Sequence, residues 1–346
     1  MNDWTIAIIK VVFIWSWTLL IATIMTWVER RGSALIQDRL GPNIAGPFGL
    51  FQPLADGIKL FTKEEFAPKH AHKILFTLGP VLFAVQAFSA YAVIPFGDKI
   101  VINAKEIVLQ VADVNIGFLF VLAVGSLAVY GFVVGGWGSN NKYSLLGGLR
   151  ATAQLLSYEV PLGLAMLAVC MTYSSFSLRE ISLDQAGTFL GFLPNWGFFK
   201  QPLGFLVFLV AAFAEANRVP FDLPEAESEL VAGYHTEYGG MRLGLYLFGE
   251  YVNLYTLSAL MVTIYFGAWH LPYIDMSAYL SPFAYGIASF VVFFLKCAFF
   301  LWLFVWVRWT IPRFRFDQLM GLGWKSLIPL GLLNLFVTAF FIQISL

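Results

Sequence analysis

The chain has 346 residues, 59% of them hydrophobic and only 12% charged, with a formal net charge of zero. A soluble domain carries about 25% charged residues, so a chain this apolar could not cover its own core in water. That balance excludes a soluble globular protein, and nothing in it points to nucleic acid.

A bilayer core about 30 Å thick needs roughly 20 apolar residues of helix. Eight stretches qualify, at about 5–28, 74–95, 116–136, 148–172, 202–217, 243–269, 284–308 and 325–345. The first lacks a basic n-region and a small-residue cleavage site and is too long for a signal peptide, so it reads as a retained span. The fifth is short if read strictly and could begin nearer Trp196. Irregular backbone cannot face lipid, so helices are the default. The expected fold is an all-α polytopic membrane protein, one integral membrane domain over residues 1–346.

With the N-terminus outside, the inner loops 29–73, 137–147, 218–242 and 309–324 and their borders carry fifteen Lys and Arg residues. The outer loops carry four, Lys99, Lys105, Arg179 and Lys200. The positive-inside rule then sets the orientation, and eight spans put both termini outside. Lys10 and Lys296 lie within spans. Lys10 is near the outer end and can snorkel, so it receives no role.

Within the first inner loop, Phe48–Phe61 reads as an amphipathic helix. Leu50, Phe51, Leu54, Ile58 and Phe61 fall on one side, with Asp56, Lys59 and Lys63 towards the other. Such a helix either lies in the interfacial plane or packs on protein as an ordinary loop helix. There is no tandem repeat and no matched pair of broken helices of the kind many transporters show. Cys170 and Cys297 sit in apolar runs and read as buried small hydrophobes. No CxxC is present, so neither an iron–sulfur cluster nor a structural zinc has ligands here.

A charge at mid-bilayer costs about 2.5–3.5 kcal/mol on insertion scales. Glu159 lies nine residues beyond Arg150, roughly 14 Å deep, and Glu250 lies eight beyond Arg242, roughly 12 Å deep. Lys296 lies twelve residues before Arg308, roughly 18 Å from the inner surface, and Glu215 closes the inner end of the fifth span. Pro161, two residues after Glu159, frees the Ser157 carbonyl and leaves room for water beside the carboxylate. Three such residues on three spans favour a proton or ion path. The plain alternative is a set of interhelical ion pairs, for example Lys296 with Glu250.

The loop after the fifth span carries Glu215, Asp222, Glu225, Glu227, Glu229 and Glu237 against only Arg218 and Arg242. Clustered carboxylates raise one another's pKa values and bring proton uptake towards neutral pH. The same loop could instead pair with a basic partner subunit. His70, His72, His235 and His270 fit no metal spacing and read as surface residues, with His235 alone near the carboxylates.

Four segments carry a resemblance. FAEANRVPFDLPEAESELVAGYHTEY at 213–238 and RLGPNIAGPFGLFQPLADGIKLFTKE at 39–64 resemble the two signatures of the H-subunit family, a membrane component of bacterial NADH–quinone oxidoreductase (respiratory complex I). The mitochondrial counterpart is NADH dehydrogenase subunit 1. GWGSNNKYSLLGGLRATAQLLSYE at 136–159 and RWTIPRFRFDQLMGLGWK at 308–325 agree with the same family. In order, the segments span Arg39 to Lys325, nearly the whole chain.

The resemblance implies a subunit without a redox centre, where the membrane arm meets the peripheral arm of a proton-pumping complex. The flavin mononucleotide (FMN), the NADH site and the iron–sulfur clusters belong to partner subunits. The substrate is a quinone, ubiquinone or menaquinone, admitted from the bilayer through a tunnel. Carried over by motif, the tunnel involves Arg30, Arg39, Asp56, Lys59 and Arg218. The proton path involves Glu159, Glu215, Glu225, Glu227, Glu229 and Glu250, and leads towards antiporter-like membrane subunits. Lys296 joins that path on depth alone. The implied partners are peripheral quinone-module subunits, adjacent small membrane subunits and the lipid bilayer. The implied location is the cell inner (plasma) membrane, with the long loops cytoplasmic. Competing readings are a free-standing ion transporter, a purely structural anchor for redox subunits, and the homologous membrane subunit of a membrane-bound hydrogenase.

Overall fold

The computed structural model describes residues 3–102, 105–189, 191–225 and 227–345, without the side chains of Asp3, Ile102, Glu227, Ser228 and Ser345. Helix α1 (Asp3–Ile36) runs well past the expected end at residue 28. No glycine–proline stop occurs before Gly41 and Pro42, and the chain leaves the helix with Asp38 in the left-handed region (φ 50°). Gly46 and Gly49 then turn it (φ 75° and 72°). A Cβ at Gly49 would meet the Pro42 carbonyl oxygen at 2.2 Å, so the turn requires glycine.

The amphipathic helix is α2 (Gln52–Thr62). It starts at Gln52 rather than Phe48, because Phe48 itself adopts a left-handed conformation (φ 53°). Leu50, Phe51, Leu54, Ile58 and Phe61 are between 51% and 72% exposed, so this apolar side has no packing partner within the chain. That geometry suits the interfacial plane of a bilayer.

Helix α3 (Lys73–Ser89) leads to a hairpin of β1 (Lys99–Ile102) and β2 (Lys105–Val108), antiparallel with Ile100 opposite Ile107. Helices α4 (Gly117–Ser126) and α5 (Ala128–Gly138) form one stepped span. Helix α6 (Lys142–Tyr173) begins early because Asn141 caps it, accepting from the Tyr143 amide. The expected inner loop 137–147 is therefore only a short turn. Pro161 lies inside α6, which continues through it to Ser174 in the left-handed region (φ 51°).

After α7 (Leu178–Asp184) come the short β3 (Thr188–Phe189) and β4 (Leu193–Pro194) hairpin and the turn α8 (Gly197–Lys200). The two hairpins, which the sequence pattern does not signal, lie in connections at one end of the bundle. Helix α9 (Pro202–Glu215) has 14 residues. At 1.5 Å per residue it spans roughly 21 Å, less than a bilayer core. Gln201 interrupts its start and is buried, donating to Thr172 at 2.9 Å and Thr338 at 2.7 Å and accepting from Asn334 at 2.9 Å.

The chain closes with α10 (Glu227–Leu230), α11 (Gly240–Tyr265), α12 (Pro282–Thr310), α13 (Phe316–Gly321) and α14 (Ile328–Ser345), the last two joined through a π-helical turn. Helix α12 stops where Ile311, extended before Pro312, cannot continue it. The expected inner loop 309–324 is accordingly cut to a few residues before α13. Among the described residues, seven helices are long and apolar enough to cross a membrane. The eighth expected span, α9, is the short exception.

Helix α11 is the axis of the bundle, with 78% of its most apolar window buried. Its Tyr246, Tyr255 and Tyr265 bury their rings and keep their hydroxyls bonded: Tyr246 donates to Gly131 O at 3.0 Å, Tyr265 to Ala165 O at 3.3 Å, and Tyr255 accepts from Trp17 at 3.3 Å. Gly135 permits the first contact, since a Cβ there would meet the Tyr246 hydroxyl at 2.1 Å. Cys170 and Cys297 are free and buried, as expected.

Helix α6 is fastened to the turn after α9 by one buried side chain. Gln154 Nε2 has two N–H donors to share among three acceptors, Ala214 O at 2.8 Å, Asn217 Oδ1 at 3.0 Å and Phe221 O at 2.7 Å. Each acceptor left without a donor costs about 1–3 kcal/mol. Gln154→Leu is therefore expected to lower the thermal stability of the purified complex and loosen the 213–238 loop, read by melting and limited proteolysis. Wild-type values in both would show that Gln154 does not hold the loop.

Candidate functional site

The end of the bundle opposite the hairpins gathers the C-terminal ends of α1 and α12, the N-terminal half of α11, helix α2 and the loop after α9. Two cavities meet there. The first, about 210 Å³, lies between α1, α2 and α11 and is walled by Thr23, Thr26, Pro53, Leu60, Phe248 and Tyr251. The second, about 320 Å³, is walled by Glu29, Arg39, Arg218, Glu225, Glu250 and Arg308. Arg30, Leu247 and Tyr251 line both, so a largely apolar vestibule lies directly beside a charged chamber.

At the vestibule, Arg30 Nη1 donates to Asp56 Oδ2 at 2.6 Å and Lys59 Nζ stands 3.3 Å from Asp56 Oδ1. The Arg30 contact tethers α2 to α1, and the Lys59 contact lies within α2. Burial opposes ionisation of Asp56, but Arg30 and Lys59 outweigh it and hold the carboxyl below the usual carboxylate range. Arg39 folds back, donating to Gln37 at 2.7 Å and Ser33 at 3.1 Å.

In the chamber, Glu29 is held by Arg308 and by the Tyr251 hydroxyl, which donates at 2.5 Å. Glu250 accepts from the Tyr234 hydroxyl at 2.6 Å. Between these carboxylates lies Arg218, with Nη1 3.5 Å from Glu29 and Nη2 3.6 Å from Glu250. Its guanidinium stacks over the Tyr251 ring, 4.5 Å from the centroid. Asn217, left-handed at φ 50°, turns the chain off α9 so that Arg218 points inward. Burial, then Glu250 and Asp222, push the Glu225 carboxyl well above its ordinary range.

The rest of the acidic loop is pinned by neighbours. Asp222 pairs with Arg313 at 2.8 Å, Glu229 with Arg150 at 2.6 Å, and Glu237 accepts from Asn141 at 2.5 Å. His235 stands 3.7 Å from Glu225, near the carboxylates as expected. Glu227 begins α10, but its side chain lies outside the described residues.

Glu159 and Glu215 form a second group. They are half-buried and close enough to repel one another, and Gly125 of α4 faces Glu215. Lys296 joins neither group. Its ammonium donates to Phe266 O at 2.7 Å and His270 O at 2.6 Å and lies 4.6 Å from the Trp196 ring centroid. It therefore meets the turn after α11, and Glu250 finds its cation in Arg218 instead. His270 differs from its expected surface position: the turn through Gly267 and Ala268 tucks it in half-buried, and Nε2 is buried without a hydrogen-bond partner. Lys10, which snorkels no farther than the hairpin end, donates to Gln110 O at 3.1 Å.

The structure thus brings Arg30, Arg39, Asp56, Arg218, Glu225 and Glu250 around two adjacent cavities, with Lys59 paired to Asp56 beside them. Glu229 lines neither and pairs with Arg150, Glu159 and Glu215 sit apart, and Lys296 is remote. Sequence reasoning missed Glu29, Arg308, Tyr234 and Tyr251. The signal for Glu29 is an acidic residue at the end of a span beside two arginines, Arg30 and Arg31. Among the described residues no group of three or more His, Cys, Asp or Glu side chains is disposed to hold a metal.

Residues 9–339 match a family model described as NADH dehydrogenase. The chain is similar to the H subunit, form 1, of the NADH-quinone oxidoreductase of Cytophaga hutchinsonii, 51% identical over 93% of this chain and 92% of that protein. It is similar to the H subunit of the NADH-quinone oxidoreductase of Flavobacterium psychrophilum, 48% identical over 95% of each. Against the H subunit, form 1, of the NADH-quinone oxidoreductase of Geobacter metallireducens the identity is 47%, over 99% of this chain and 98% of that protein.

Asp222 offers a pH test. Burial pushes its carboxyl up to about 6, although Arg313 pulls the other way. A raised native pKa means that the folded protein keeps a proton that the unfolded chain has lost above about pH 4. This group's contribution to stability is therefore full below about pH 4 and is lost as pH rises through about 6. Thermal unfolding of the purified complex from pH 4 to 7 should show that decline, and Asp222→Asn should flatten it. An unchanged slope in the variant would contradict the assignment.

Proposed function

Because this chain belongs to the NADH dehydrogenase family, we propose that it is the quinone-binding membrane subunit of a proton-translocating NADH–quinone oxidoreductase. The observation that carries this reading is the junction of the apolar vestibule with the charged chamber at Arg30, Leu247 and Tyr251. A lipophilic quinone needs an apolar route from the bilayer, and the exposed apolar side of α2 fits an entrance at the membrane interface. Reduction of the headgroup consumes two protons, so a site nearby must supply or sense them. The chamber's carboxylates meet that need.

In this mechanism the quinone passes between α1, α2 and α11, with Asp56, Arg30 and Lys59 at the opening and Arg39 and Arg218 deeper. Electrons arrive from redox groups in partner subunits. The charge change at the headgroup alters the protonation of Glu225, whose carboxyl is already held well above its ordinary range. From there it passes to Glu229, Glu227, Glu215 and Glu159, and on towards adjacent membrane subunits. Low dielectric strengthens each coupling. Lys296 lies at α11's final turn, away from these carboxylates, and its proposed part is to neutralise that helix terminus. Helix α9, mostly buried, serves as the eighth crossing. That count sets both termini on the outer side, with α2 and the acidic loop on the cytoplasmic face of the inner (plasma) membrane. The names of the relatives favour the quinone enzyme over the hydrogenase and the free-standing transporter.

The test is NADH-driven quinone reduction and proton translocation by the purified native complex carrying Glu159→Gln or Glu250→Gln. The coupled rate is expected to fall about tenfold, equivalent to ~1.4 kcal/mol on the barrier. Normal proton-to-electron stoichiometry in both variants would contradict the proposal.

A further inference from the structure

The outward-facing side of the bundle holds a groove apart from both cavities of the loop end. It lies between α3 and the step that joins α4 to α5, and its volume is about 260 Å³. Leu82, Val85, Gln86 and Ser89 form one wall, at the three- and four-residue spacing of a single helix face, and Leu127 and Tyr130 form part of the other. From Leu82 to Ser89 the wall is roughly 10 Å long, about two helical turns. The groove stands open, with Val85 58%, Leu127 50% and Tyr130 60% exposed. Gln86 in its floor is 4% exposed, and its Oε1 is buried without a hydrogen-bond partner among the described residues. The neighbouring hydroxyl does not serve it, since Ser89 donates to Val85 O at 2.6 Å. Gln86 lies thirteen residues beyond Lys73 at the start of α3, roughly 20 Å along the span. Hydrocarbon offers no donor at that depth, and an unmet acceptor there is costly. Tyr130 lies eight residues before the end of α5 at Gly138, roughly 12 Å into the span, although tyrosines favour the membrane surface.

We infer that this groove seats a transmembrane helix of a partner subunit, and that a hydroxyl or amide side chain of that helix donates to Gln86 Oε1. The unmet amide selects the occupant. A lipid chain or a quinone tail matches the apolar walls but brings no donor. A lone water reaches the amide but leaves the apolar walls uncovered. A helix supplies both: a ridge of side chains that fits a two-turn groove between two other helices, and a polar residue of the kind that fastens helices together in lipid. The groove also lies close to the Glu159–Glu215 group. Val124 of α4 lines it, and the next residue, Gly125, faces Glu215. A helix seated here therefore touches the same turn of α4 that faces Glu215. Placing the partner among the small membrane subunits that continue the charge route rests on the proposed function, whereas the seat itself does not.

The test uses the purified native complex with the photoreactive residue benzoylphenylalanine in place of Val85 or of Leu127. Irradiation should link both positions to one transmembrane helix of a co-purifying subunit, and the linked peptide should carry Ser, Thr, Asn or Gln within a turn of the link. Gln86→Leu nearly keeps the volume and removes the amide. It should lower the amount of that subunit retained in a detergent titration by about threefold, the weight of one interhelical hydrogen bond. A groove filled by lipid would instead retain the subunit equally well or better, because the variant removes an unmet polar group. Links to lipid only, links to a helix without such a residue, or unchanged retention in Gln86→Leu would overturn the inference. Should Gln86→Leu fail to assemble, the photolinks decide alone. If the links form and retention falls while Glu159→Gln and Glu250→Gln translocate protons normally, the seat stands and the coupling reading falls.

Discussion

A guanidinium taken out of water carries a penalty of several kcal/mol that only well-placed anions offset. The loop end of this protein is arranged around that constraint. Arg218 leaves α9 at a left-handed residue and enters the protein between two helices. Its charge demands Glu29 and Glu250, and they in turn demand Arg308, Tyr251 and Tyr234. The outcome is a polar chamber set against an apolar vestibule, each walled by the same turns of α1 and α11. Removing one partner from such a network leaves its neighbour buried and unpaired, which costs far more than a surface ion pair is worth.

The rest of the bundle keeps that network in register. Helix α11 supplies Glu250 and Tyr251 from the most enclosed position in the fold. Glycines on α5 let it approach closely, and tyrosine hydroxyls along it bond to backbone carbonyls of its neighbours. Gln154 fixes the acidic loop to α6, and Arg150 and Arg313 fix two of that loop's carboxylates from outside. At the far end of α11, Lys296 bonds the carbonyls of the closing turn, where a cation suits the negative end of the helix. The same helix is thus held by charge at both ends and by packing between them.

Much of this was legible in the sequence, because long apolar runs can only be spans and charges within them are costly. Depth along a helix is readable from residue counts, but direction around the axis is not. Glu250 and Lys296 therefore looked like neighbours, whereas Glu250 meets Arg218 and Lys296 faces the opposite end. Glu29 escaped notice because a carboxylate beside two arginines reads as a solvated helix end. In fact α1 continues past the expected boundary and keeps Glu29 buried. The hairpins gave no signal, being four residues per strand or fewer. Helix α9 was ambiguous for a physical reason: Gln201 and Glu215 cut its apolar run below a bilayer's thickness, although most of its residues are buried against neighbouring helices.

The central claim is that the vestibule and chamber form one passage for a quinone. Photolabelling of the purified native complex with an azido-quinone tests it most directly. The account predicts label on the chain segments around Thr23–Arg30, Pro53–Leu60 and Leu247–Tyr251, displaced by excess unmodified quinone. Label confined to the hairpin end, or label on these segments that excess quinone does not displace, would contradict it.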